Sequence, residues 1–168
     1  SWPAAIAIDD QGDIYVRGRI HLDRLSSEDL IVATEGRIEG AYPFSLEPTP
    51  HVLSIGGFRV YAMCALDAVA VAPVFGLEVV TTSRCAVSGA PIRIHQIAEA
   101  VHECEPVGLR IGVRWQQPDG CAAHSMCREM VFLSDLETAE HWRGEDPDGA
   151  GIFDLSEAVE FGVGFFAP

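Results

Sequence analysis

The 168-residue chain contains no lysine and no asparagine, and its eleven basic residues are all arginine. Without lysine there is no Schiff base, no pyridoxal phosphate anchor and no P-loop lysine. Without asparagine there is no acceptor for N-glycosylation. Through the genetic code, this bias points to a GC-rich, bacterial genome. Positive charge is scarce: the formal net charge of −14 argues against nucleic acid or an anionic membrane as the main partner. No run reaches the roughly 18 apolar residues of a membrane span. No signal peptide is read at the N-terminus, and the chain starts at Ser1, which leaves room for a trimmed segment. Paired C-x2-C knuckles are missing, and so is the G-x-S-x-G of a serine hydrolase. The five cysteines, Cys64, Cys85, Cys104, Cys121 and Cys127, are odd in number and irregular in spacing. They do not form a disulfide framework, and they fit a reducing cytoplasm in which thiols serve chemistry or metals.

What is present is an ordinary globular composition, 48% hydrophobic and 21% charged. The length suits one domain, or one with a small appendage. Residues 4 to 21 read as two short strands around a turn-rich link, and 26 to 30 as one helical turn capped at Ser26 or Ser27. Leu30–Ala33 and Ile38–Phe44 form a second hairpin. Pro43, Pro48 and Pro50 make 43 to 51 an extended link. That link divides a hairpin-rich region, 1–50, from a main domain, 51–168. Val52–Ile55 and Phe58–Val60 read as strands, followed by a helix from about Tyr61 to Phe75 that stops near Pro73 and Gly76. Further strands are expected at Glu78–Ser83, Ile92–His95, Leu109–Trp115 and Met130–Leu133. Helices are expected near Leu136–Arg143 and Ser156–Phe161, the first capped by Ser134 or Asp135. The class is α+β, with mixed small β-sheets and surrounding helices and without a regular βαβ rhythm.

The run Tyr61-Ala62-Met63-Cys64-Ala65-Leu66-Asp67-Ala68 is apolar except for one carboxylate. Residues at i and i+3 share a helix face, so the Cys64 thiol and the Asp67 carboxyl point into one space. A buried Asp tends to keep its proton. A thiolate beside such an acid can bind a soft electrophile and protonate what leaves it. The competing reading is a core cysteine with Asp67 on the solvent edge, and spacing alone does not separate the two. Cys121-Ala122-Ala123-His124-Ser125-Met126-Cys127 has the C-x2-H-x2-C spacing of part of a metal site, without a fourth ligand. The histidines His21, His51, His95, His102 and His141 are scattered and read as surface or satisfied structural residues. The polar stretch around Cys104 reads as a solvated turn. Gly162-Val163-Gly164 lacks the strand–helix setting of a nucleotide loop.

Phe58-Arg59-Val60-Tyr61-Ala62-Met63-Cys64-Ala65-Leu66-Asp67-Ala68 resembles the nucleophile segment of the organomercurial (alkylmercury) lyase family. Ser83-Arg84-Cys85-Ala86-Val87-Ser88-Gly89-Ala90-Pro91 resembles that family's S-x-C-A-x-[ST]-G-x-P segment. Ser125 to Leu133 resembles the region of its second active-site cysteine, and Thr138–Trp142 and Leu155–Ala158 resemble its tail. The similarity runs in order over about residues 30 to 165. It implies an alkylmercury-lyase-like core with a shortened N-terminal region, the remnant of a winged-helix-like cover. It also implies cleavage of carbon–mercury bonds to a hydrocarbon and Hg(II), with no resident cofactor. Carried over, Cys64 and Cys127 are the thiolate ligands of mercury, Asp67 is the acid–base residue and Cys85 is structural. Apart from the resemblance, Cys121 and His124 are accessory candidates by their nearness to Cys127 in sequence, Cys121 as an exit ligand for Hg(II). The implied partners are a small organomercurial, low-molecular-weight thiols and a mercuric reductase as acceptor of Hg(II). Arg128 stands where the family often has another cysteine, and Met63 where an aromatic residue is common. Two other readings stay open on the same fold: a thiolate protein that binds Hg(II) or Cu(I) without lysis, and a relative recruited to other chemistry.

Overall fold

The computed structural model describes residues 6–8, 14–16, 31–34, 37–115, 125–145 and 148–166. Strands β1 (Ile6–Ile8) and β2 (Ile14–Val16) form an antiparallel pair. Eight strands follow in chain order: β3 (Ile31–Thr34), β4 (Arg37–Ala41), β5 (Phe44–Ser45), β6 (Val52–Ile55), β7 (Phe58–Ala62), β8 (Glu78–Arg84), β9 (Pro91–Ile97) and β10 (Ala100–Glu105). They build one antiparallel sheet in the order β10-β9-β8-β6-β7-β5-β4-β3. A second antiparallel sheet, β12-β11-β13, is made by β11 (Arg110–Arg114), β12 (Met130–Leu133) and β13 (Ala150–Asp154). The helices among the described residues are α1 (Ala65–Phe75), α2 (Leu136–Arg143) and α3 (Leu155–Phe166). The class is α+β, as the sequence leads one to expect.

Helix α1 is the centre of the core. Every residue from Ala65 to Ala72 is buried, Asp67 included. A helix that is apolar all round must be covered all round, and α1 packs against β7, β8, β9, β12 and α3. Its approach to α3 depends on Gly162, where a Cβ would lie 3.0 Å from the Ala70 Cβ and 3.4 Å from the Leu66 carbonyl oxygen. The helix ends at Gly76, whose φ of 65° closes the C-terminus. Pro73 lies inside it and cannot donate to the carbonyl of Val69, four residues back. The buried side chain of Gln96 on β9 supplies the missing donor, Nε2 to the Val69 oxygen at 3.1 Å.

Several elements depart from the sequence-based expectation. The helix starts at Ala65 rather than Tyr61, because the β7 ladder claims Tyr61 and Ala62, paired with Ser45 and Phe44 on one side and Tyr61 with Val52 on the other. Within the link at 43–51, Phe44 and Ser45 join the large sheet as β5. The polar stretch around Cys104 is the edge strand β10, not a turn. Charged side chains are a common protection of such an edge. Strand β13 was not anticipated, and α3 extends well beyond Phe161. The helical turn expected at 26–30, and both Cys121 and His124, lie outside the described residues.

Candidate active site

Cys64 occupies the N-cap of α1, with φ −145° and ψ 178°. Its Sγ accepts the backbone N–H of Asp67 at 3.4 Å. This is the place and the bond of a capping Ser or Asp, made here by a sulfur. The corner before it is tied down on three sides. Ala62 N–H donates to the His51 carbonyl at 2.9 Å and Met63 N–H to the Pro43 carbonyl at 3.1 Å. The Thr49 hydroxyl donates to the Ala62 carbonyl at 2.6 Å. The N-terminal end of the helix dipole faces the Cys64 sulfur.

Cys127 comes from far along the chain, on the 3-10 turn Met126–Glu129 that leads into β12. The turn is closed by Arg128 N–H to the Ser125 carbonyl at 3.3 Å. It brings the Cys127 Sγ, the Cys64 Sγ and a carboxylate oxygen of Asp67 within 4.8 Å of one another. All three residues are buried, at 1% exposure for Cys64, 4% for Asp67 and 7% for Cys127. Asp67 therefore does not sit on a solvent edge, and the structure selects the first of the two readings of the i, i+3 pair.

Burial lifts the Asp67 carboxyl from its ordinary 3.8 to about 7, against the opposing hydrogen bonds from Cys64. Its Oδ2 is buried and finds no hydrogen-bond partner among the described residues, so one acceptor position is left unused. Burial also pushes the Cys64 thiol well up, with further upward pressure from the hydrogen bond to Cys127 and the charge of Asp67. The backbone N–H of Asp67 works the other way. At rest the site holds a thiol, a second cysteine and a carboxyl poised to gain or lose a proton near neutrality. Such a set suits a soft ion bound by sulfur, with proton transfer beside it.

A cavity of about 470 Å³ borders this cluster at Cys127, lined among others by Val32, Thr49, His51, Met63 and Met130. Cys64 and Asp67 are not part of its lining. Cys64 reaches the lining through Met130, its thiol donating to the Met130 Sδ at 3.6 Å. The position of Met130 was not foreseen from the sequence, where its one signal is a place three residues after Cys127. His51 is buried, and burial lowers its pKa to about 4, so it is neutral at physiological pH. Its Nδ1 lies 3.0 Å from the Ser83 Oγ and its ring meets the edge of Phe132 at 5.4 Å, a satisfied structural histidine.

Cys85 stands outside the cluster. Its Sγ accepts the Ser88 N–H at 3.4 Å, and its carbonyl accepts Gly89 N–H at 2.9 Å, closing the turn between β8 and β9. Burial pushes this thiol up, but the hydrogen bonds led by Ser88 outweigh it and hold it at about 7. Cys104 lies on the edge strand and donates to the Pro106 carbonyl at 3.4 Å. Neither cysteine is disulfide-bonded.

The family model for alkylmercury lyase matches residues 44–167. The alkylmercury lyase of Bacillus cereus is 29% identical over 128 residues, which cover 76% of this chain and 58% of that protein. The alkylmercury lyase of Pseudomonas putida is 30% identical over 120 residues, covering 71% of this chain and 55% of that one. The chain thus spans a little over half the length of these curated relatives. Among solved structures, the crystal structure of the mercury-bound form of MerB2 superposes with a TM-score of 0.73 at 26% identity, over 84% of this chain and 69% of that one.

Proposed function

The chain belongs to the alkylmercury lyase family, and from that premise we propose that it cleaves carbon–mercury bonds by protonolysis with Cys64, Asp67 and Cys127. The observation that carries this reading is the buried cluster of two thiols and a carboxyl, all within 4.8 Å, whose carboxyl has its pKa lifted to about 7. A protein that only carries a metal has no use for a proton donor at that place.

The derivation follows from the chemistry of the groups. Mercury is soft and prefers thiolate to nitrogen or oxygen. A metal-bound thiol gives up its proton outright, so the raised pKa of resting Cys64 does not prevent attack. Cys64 displaces the halide or external thiolate from R–Hg, and its proton passes to the Asp67 carboxylate. Cys127 adds as the second thiolate and weakens the carbon–mercury bond. Both electrons of that bond leave with the carbon, which takes the Asp67 proton as they go. The balance is R–Hg⁺ plus two thiols giving R–H, a bis-thiolate Hg(II) and one proton, and mercury stays in the +2 state throughout. No resident cofactor is required.

Small external thiols would supply the leaving group and strip Hg(II) from the pair, with a mercuric reductase as a further acceptor. We place this work in the cytoplasm, where thiols stay reduced; among the described residues no helix is long and apolar enough to cross a membrane. Cys121 is proposed as an exit ligand, with His124 as a further accessory residue, and Cys121→Ser with unchanged Hg(II) release would remove the exit role. The mechanism is tested by Asp67→Asn incubated with phenylmercury and excess thiol. The variant is expected to retain mercury one-to-one while releasing no benzene; normal turnover would sink the assignment.

A further inference from the structure

The chain has three methionines, and all three stand beside the reactive cysteines: Met63 precedes Cys64, Met126 precedes Cys127, and Met130 follows it by three residues. Met130 makes the direct contact, its Sδ accepting the Cys64 thiol at 3.6 Å. Its backbone is fixed on β12 opposite Val113 of β11. Its side chain keeps three rotatable bonds and a polarisable sulfur, so it can move without the strand. Met130 and Cys127 line the cavity, and Cys64 and Asp67 do not. A mercurial that enters from the cavity therefore meets the Met130 thioether before it reaches the Cys64 thiol.

A thioether is a soft ligand that carries no proton. We infer that Met130 is a third sulfur ligand of this site: it receives the mercury of the incoming organomercurial at the cavity floor, passes it to Cys64, and then completes the coordination of Hg(II) beside Cys64 and Cys127. The step requires no co-reactant. The thioether lone pair adds to mercury as the Cys64 thiol lets go of Sδ, and it stays on mercury when the Cys64 thiolate displaces the halide or external thiolate. The organomercurial as substrate rests on the lyase reading above; the sulfur site itself rests on the contact between Cys64 and Met130 and on which residues line the cavity.

Two measurements test it. Met130→Leu keeps the approximate volume and removes the sulfur, and near-ultraviolet circular dichroism checks that its packing survives. Its retention of Hg(II) against a competing small dithiol is expected to fall about tenfold, the lower end of what loss of a supporting group costs a metal site. Separately, protein carrying Met63→Leu and Met126→Leu is labelled with selenomethionine, which leaves selenium at Met130 alone. With one equivalent of Hg(II), selenium-edge X-ray absorption is expected to find mercury at bonding distance. Retention equal to the parent's in Met130→Leu, or no mercury near the selenium, overturns the inference. Hydrocarbon release that accompanies either negative result leaves the lyase reading standing. A selenium–mercury contact in a protein that releases no hydrocarbon does the reverse: the third sulfur stands and the lyase reading falls.

Discussion

Replacing Asp67 by asparagine in the metal-free protein isolates the cost of burying an ionisable group beside the two cysteines. Asp67 gives up its proton near 3.8 in the unfolded chain and near 7 in the folded one. Between those values the folded state holds a proton that the unfolded state has lost. Stability from this group is thus fully present at low pH and is lost as pH rises through about 7. A displacement from 3.8 to about 7 amounts to about 4 kcal/mol, and about 2 to 3 kcal/mol of it is lost between roughly pH 5 and roughly pH 8. Asparagine has the same shape and cannot ionise. Urea unfolding of parent and Asp67→Asn at intervals across that window should give curves that diverge, the variant gaining on the parent by about 2 to 3 kcal/mol toward the alkaline end. Taking the difference between the two proteins removes the titration of the other carboxylates. Parallel curves would refute the claim that burial holds this carboxyl near neutrality, and with it the physical basis for Asp67 as proton donor.

The Gln96 bond to Val69 predicts that Gln96→Leu leaves a buried carbonyl bare, at a cost of about 1 to 3 kcal/mol in urea unfolding. Pro73→Ala restores an N–H to that carbonyl, so the same change should cost distinctly less in the Pro73→Ala background; equal costs would contradict the account of how α1 tolerates its proline. At Gly40 a Cβ would lie 2.5 Å from the Met63 Cε and 2.5 Å from the Phe44 carbonyl oxygen. Gly40→Ala should therefore destabilise by about 1 to 3 kcal/mol and, by displacing Met63 from the cavity wall, alter KM for organomercurials. Hg(II) bound to the folded site and more weakly to the unfolded chain should raise the parent's Tm, and Cys64→Ala should lose most of that rise.

The parts of this molecule that were legible in its sequence are the local ones. The spacing of Cys64 and Asp67 brings them together, although through Cys64 as the N-cap of α1 rather than along a shared helix face, and the apolar run around them marks a buried helix. What spacing could not decide was whether the carboxyl turned in or out, because that depends on β12 and β7 packing over the helix start. Cys127 joins the cluster through a turn more than 60 positions away, and its pairing with Cys64 was legible only through the family resemblance. The start of α1 was misplaced for a similar reason. Tyr61 and Ala62 are compatible with a helix, but their hydrogen bonds are taken by strands β5 and β6. Strand β10 reads as polar loop because it is an exposed edge, and β13 is fixed by pairing with β11 rather than by any pattern of its own. Beyond its place three residues after Cys127, Met130 carried no sequence signal of its contact with Cys64, which depends on the register of β12 against β11.

The most direct test of the central claim is benzene release from phenylmercury by the purified chain under excess thiol, run beside Cys64→Ala, Asp67→Asn and Cys127→Ala. The account predicts catalytic release by the parent and none by any of the three variants. Tight one-to-one binding of mercury by the parent without hydrocarbon release would contradict it.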